Sequence, residues 1–237
     1  MSYDKRKEAF SAARSREEGL DLGLRAYMLK VYNYMFFGLV ITGVVAYIAS
    51  TSMPLMQLLH GGFAWVLFIG MLIMAFTLPM KIFKMQVATA KLLFWLFAVM
   101  MGLSTSYIFL VYTDASIVRT FFICAAMFGA MSLYGYTTKK DLSKMGSYLF
   151  MGLIGLIIAS VVNIFMQSNM MAFILSILGV LIFTGLTAYD TQKIKEIYYG
   201  GDSQEVTQKK ALLGAFSLYL DFINLFLFLL RLLGDRR

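Results

Sequence analysis

Asp221 lies about nine residues into an apolar stretch, 212–233, with no lysine or arginine within one helical turn. A carboxylate at the centre of a lipid-crossing helix costs about 2.5–3.5 kcal/mol to insert. A partner, a wet cavity or a neutralising proton must offset that cost. Gly214, Ser217, Asp221 and Asn224 follow at intervals of 3, 4 and 3, which puts them on one helical face that should look inward. The preceding stretch carries a matching stripe, Ser176, Gly179, Phe183, Thr187 and Asp190. Asp190 reads either as the partner of Asp221 or as a solvated helix end beside Thr191, Gln192 and Lys193. Two carboxylates within hydrogen-bond distance in a low-dielectric site cannot both stay ionised, so they share a proton and respond to pH. Asp190 and Asp221 are thus the candidate pH-sensing and ion-gating residues, with Thr187, Ser217 and Asn224 as the supporting polar face. Carboxylate oxygens also suit calcium, but two side chains supply far fewer than the six to eight oxygens of a tight site. Any metal contact at Asp190 and Asp221 is expected to be weak and transient, and no other cofactor is expected.

The elements that must position these residues are membrane helices. The 237 residues are 60% hydrophobic and only 14% charged, with a mean hydropathy of +0.75. Soluble domains carry roughly 25% charged residues, so this chain cannot clothe a water-soluble surface. Apolar runs of about 17–25 residues can cross a hydrocarbon core. Seven such runs fall near 31–50, 61–79, 92–112, 117–136, 147–167, 170–190 and 212–233. The expected fold is all-α: a single seven-helix transmembrane domain over 31–237, preceded by a charged arm over 1–30. The first run lacks a small-residue cleavage pattern and exceeds a signal-peptide core, so it is expected to stay in the membrane. Glycines and hydroxyls within the spans (Gly102, Ser104, Thr105 and Ser106; Gly129, Ser132 and Gly135; Gly152 and Gly155) read as close helix packing.

Positive charge sorts by connection. Seventeen Lys and Arg fall in the arm and the second-to-third, fourth-to-fifth and sixth-to-seventh connections, against four on the other side (Arg119, Arg231, Arg236 and Arg237). Cytoplasmic loops retain positive charge, so the N-terminus is expected inside. The three arginines of the tail oppose export and leave the seventh crossing open. The net charge of +8 lies between apolar runs rather than on one folded face, which excludes nucleic acid and points to the bilayer and its head groups. His60 and Cys124 are the only residues of their kinds, which removes Ser-His, Cys-His and multi-histidine metal sites and leaves no case for an enzyme. One mismatch stands out. Counted from Lys193, Asp190 is about 5 Å deep, and counted from Lys210, Asp221 is about 16 Å deep.

The segment Thr187-Ala-Tyr-Asp-Thr-Gln-Lys-Ile-Lys195, with Leu218-Tyr-Leu-Asp-Phe-Ile-Asn-Leu-Phe226, resembles the paired signature of the Bax inhibitor-1 family of membrane proteins. The resemblance extends to Gly135-Tyr-Thr-Thr-Lys-Lys-Asp-Leu142 and to the Gly152–Asn163 region. It implies seven helices with the last packed centrally, and a pH-responsive pair, Asp190 and Asp221, controlling a calcium leak. It also implies a basic latch from the second helix on the first acid. That helix has no arginine here, so only Lys81 or Lys84 at its inner end could serve, and lysine is not an equivalent bidentate partner.

A passive leak for calcium or another cation, gated by the acid pair, is the leading expectation. The alternative is a non-channel regulator that docks on a membrane-bound protease through the charged arm and loops. A proton-coupled transporter ranks behind both, since no inverted repeat supports it. The arginine-terminated tail without an organelle retention signal fits a bacterial inner membrane.

Overall fold

A computed structural model describes residues 3–237, and the side chains of 22–237 except that of His60. The basic side chains expected to mark the arm, Lys5 to Arg16, therefore lie outside the described residues, as does His60. Nine α-helices run through the described chain: α1 (Tyr3–Thr51), α2 (Met53–His60), α3 (Phe63–Lys81), α4 (Val87–Thr105), α5 (Ile108–Val111), α6 (Asp114–Thr137), α7 (Ser143–Met166), α8 (Asn169–Glu196) and α9 (Gln204–Leu233). Seven are long and apolar enough to cross a membrane, as expected; α2 and α5 are short pieces in connections.

Local chemistry sets the breaks. Pro54 sits in the first turn of α2, where a missing N–H costs nothing, and Pro79 falls in the last turn and a half of α3. Thr113, Ser168 and Ser203 cap α6, α8 and α9, each hydroxyl accepting from a backbone N–H three residues on. Gln167, at φ 48°, takes the left-handed conformation that closes α7.

The connections gather at two ends of the bundle. At one, Lys209 Nζ donates to the Phe83 carbonyl (3.2 Å), tying the start of α9 to the α3–α4 connection. Gln192, buried on α8, accepts from Leu142 N and donates to Lys140 O (both 2.8 Å), holding the α6–α7 connection. The Tyr27 and Tyr198 rings meet there too, at 5.3 Å. This is the basic end. Tyr27 and Met28, counted with the arm by charge, are buried against the bundle.

At the opposite end the chain tail folds back onto the α5–α6 connection. Thr113 N donates to Asp235 O, and Arg237 N donates to Val111 O. Arg119 pairs with Asp235 at 3.0 Å, and Arg237 with Asp114 at 2.7 Å. The last helix, whose crossing the arginines left open, thus runs from one end of the bundle to the other. It packs on α8, α1, α6 and α4 and is the most buried span, at 61% of its apolar window. Large apolar side chains are exposed around the rim of the other spans, as expected for a surface solvated by lipid.

Candidate functional site

α8 and α9 form an antiparallel hairpin, and two close approaches fix its register. A Cβ built on Gly179 would lie 2.5 Å from the Phe228 ring, and one on Gly214 would lie 2.9 Å from Ile194. Gly179, Phe183 and Asp190 of the stripe expected from spacing on α8 therefore do face α9, with Phe183 stacked on Phe228 at 5.9 Å. On its other side α8 is clamped to α6. A Cβ on Gly135 would collide with the Ala188 carbonyl oxygen, and Ser132 Oγ bonds Thr191 Oγ1 at 3.0 Å.

This register brings the two acids together: the carboxyls of Asp190 and Asp221 lie within hydrogen-bonding reach of each other. A hydrogen bond between two carboxyls requires that one of them carry a proton. The depth mismatch came from taking Lys193 as the end of the sixth span. In fact α8 continues to Glu196, and Lys210 Nζ donates to the carbonyl of Ile197 at 2.8 Å, so Lys210 is level with Ile197. From that common level the acids are about 10 Å and about 16 Å deep at 1.5 Å per residue, a gap that side chains on adjacent helices can close.

The pair opens on a groove of about 990 Å³ between α3 and α7, floored by α8 and α9. Leu72 and Phe76 of α3 and Phe150 and Leu153 of α7 wall it, while Asp190, Lys193, Ser217, Asp221 and Asn224, with Ser147, Ser160 and Tyr189, supply its polar lining. Asp221 is 5% exposed, and among the described residues its Oδ2 has no hydrogen-bond partner. Asn224 donates its Nδ2 hydrogen to the Leu220 carbonyl at 2.8 Å, which leaves Oδ1 as its groove-facing acceptor. Thr187 does not join Ser217 and Asn224 in that lining. It is fully buried and donates to the Phe183 carbonyl at 2.8 Å, stiffening α8 instead.

Neither Lys81 nor Lys84 forms an ion pair with Asp190, and both are exposed at the basic end of α3. The cation beside Asp190 is Lys193, one turn along the same helix, with its Nζ 5.8 Å from the Tyr189 ring. Spacing of i to i+3 places it beside Asp190, where the sequence reads it as part of a solvated helix end. Gln192, Lys209 and the Thr42–Tyr219 bond (2.7 Å), which joins α1 to α9, have roles that spacing does not announce. Each is a polar residue whose partner is distant in sequence. Among the described residues no three His, Cys, Asp or Glu side chains gather as a metal cluster. What the groove can do is present carboxylate, hydroxyl and amide groups to a hydrated cation.

Seven apolar helices in one bundle, the last two joined by facing acids within the membrane section, define a multi-span helical membrane protein with an internal acid pair. The chain belongs to the Bax inhibitor-1 family: the family described as inhibitor of apoptosis-promoting Bax1 matches residues 24–237. It is 51% identical over 224 residues to an uncharacterized protein of Rickettsia prowazekii, covering 94% of this chain and 95% of that one. It is 47% identical over 219 residues to the inner membrane protein YbhL of Escherichia coli, covering 91% and 94%. An uncharacterized protein of Borreliella burgdorferi is 46% identical over 216 residues, covering 89% and 92%.

Proposed function

We propose that the chain is a pH-sensitive cation leak, with calcium as its cargo, in which the protonation of the Asp190–Asp221 pair sets the packing of α9 and so gates passage. The observation that carries this reading is the approach of two carboxyls on different spans at the floor of a 990 Å³ groove. A bond between two carboxyls exists only while one proton is shared, so changing the proton count changes the force between α8 and α9. In the groove a cation would meet Asp190, Asp221, Ser217 and Asn224, too few oxygens to hold calcium tightly and enough to replace part of its water. Weak binding is what conduction needs, since the ion must also leave. The protein is read as a passive conduit rather than an enzyme.

The membrane we assign is a bacterial inner membrane, by likeness to YbhL, with the basic end and the N-terminus in the cytoplasm. Reconstitution in liposomes with a calcium dye inside and stepped pH outside tests the gate. Wild-type flux should vary with pH, and Asp221→Asn should flatten that profile. Unchanged flux and profile in the variant would remove the acid pair from the mechanism.

A further inference from the structure

On the face of α9 away from the acid groove, α1 and α6 both pack on α9 without sustained packing on each other, and a lengthwise seam runs between them. Two cavities fill it end to end. One, of about 550 Å³, lies at the basic end between Arg25, Tyr32 and Met35 of α1 and Phe128, Gly129 and Tyr136 of α6. The other, of about 350 Å³, continues along the same faces toward Ala46 and Ile117, with Thr42 and Thr105 the only polar side chains in its lining. Arg25 to Met35 covers about 15 Å at 1.5 Å per residue, half of a hydrocarbon core about 30 Å thick, or the depth of one leaflet.

Charge is confined to the mouth. Arg25 is exposed and makes no ion pair or hydrogen bond among the described residues. Lys195 stands at the same mouth, its Nζ donating to the Tyr136 carbonyl at 2.9 Å, and no acid lines either cavity. Gly129 is not small for the sake of helix packing, since a Cβ there would meet nothing within 4 Å. Its smallness keeps the cavity open. The seam is bridged once, by the Tyr32–Ser132 hydroxyl bond at 2.5 Å. A helix with its side chains, about 10–12 Å across, cannot pass that bridge, whereas a single file of methylenes can lie beside it.

We propose that this seam binds an anionic phospholipid of the leaflet at the basic end, its phosphate at Arg25 and one acyl chain lying between α1 and α6. Arginine suits a phosphate through its paired N–H donors, and burial of methylenes in the apolar cavity holds the chain in register.

The test uses the full-length protein in vesicles containing phosphatidylglycerol with a photoreactive group on the acyl chain, and phosphatidylcholine bearing the same group as control. Labelling of the phosphatidylglycerol probe should concentrate on the peptides holding Met35 and Phe128–Leu133, exceeding that of the lipid-facing helix α7. Arg25→Gln should lower seam labelling about fivefold, the factor for one basic residue at an anionic surface, and leave α7 labelling unchanged. Gly129→Leu, whose Cβ meets no protein atom within 4 Å, should abolish it by filling the cavity. Equal labelling by the two lipids, equal labelling of seam and α7, or no response to both variants would overturn the proposal. So would a disulfide between two copies of Gly129→Cys formed in high yield, which would make the seam a protein interface.

Discussion

α7 and α9 look alike as strings of letters, two long apolar helices of which α7 is the more hydropathic, yet only 6% of the apolar window of α7 is buried against 61% for α9. Hydropathy measures transfer from water to lipid, and both helices have left water. What separates them is the price of a polar group in lipid, which only protein contact can lower. α9 carries Lys209, Ser217, Tyr219, Asp221 and Asn224, and its neighbours meet all but Ser217 and Asn224 with bonds or close packing, while those two line the groove. α7 presents Ile, Val, Phe and Met to lipid and touches the bundle chiefly through α8. In a membrane protein, burial is therefore legible from polar residues rather than from apolar ones.

The sharpest way to break this contrast is to wedge apart the helices that enclose α8 and α9. Gly135→Leu would drive a side chain into the Ala188 carbonyl, backbone that cannot rotate away. We expect a loss of about 3 kcal/mol, seen as a collapse in the melting temperature of detergent-solubilised protein. Asp221→Asn should leave the fold in place, because an amide can still bond Asp190, while removing the pH dependence of calcium flux in liposomes. Tyr219→Phe deletes a buried bond from α9 to Thr42 of α1, whose hydroxyl keeps its bond to the Ala98 carbonyl at 2.9 Å. Its cost should be about 0.6–1 kcal/mol by denaturant titration.

On α7 the effects should fade. Gly155→Leu adds a side chain where nothing lies within 4 Å, and its melting temperature should match wild type, a change within about 0.5 kcal/mol. At the head of the same helix, the Asp141 carboxyl is held below its usual 3.8 by the Ser143 hydroxyl and backbone N–H, and further by the charge of Lys144. A lowered folded-state value stabilises the fold above pH 3.8 and loses that contribution as pH falls through the lowered value. The gap between wild type and Asp141→Ala should therefore be constant at neutral pH and close in acid. A gap that widens in acid would reverse the sign.

The same contrast explains what could be read without coordinates. Span number, order and the inward face of α9 follow from apolar length and from the spacing of Gly214, Ser217, Asp221 and Asn224. Pairing of Asp190 with Asp221 was reachable from residue type but not from depth, because Lys193 marks no membrane edge: α8 runs on to Glu196. Small residues carried mixed messages. Gly135 and Gly102 meet neighbouring backbone or side chains and serve packing, whereas Gly129 and Gly155 face open space, a difference that no letter encodes. Thr187, placed on the polar face by periodicity, turns its hydroxyl into its own helix. Gln192 and Lys209 bond carbonyls of connections far away in sequence, and such pairings become visible only when the chain has closed on itself.

The burial of α9 also bears on how the chain is made. Synthesis proceeds from the N-terminus, so the most buried span is delivered after the other six. Until it arrives, Thr42 of α1 lacks its tyrosine, Asp190 lacks its acid partner, and Phe94 and Phe97 of α4 lack the Phe216 and Tyr219 rings they pack against. Six spans must wait in the bilayer around an open slot. A ribosome that stalls before Gln204 would thus leave not a slightly weakened bundle but a hollow one, its polar hydroxyls and one carboxylate turned to lipid, ready for a membrane quality-control system to remove.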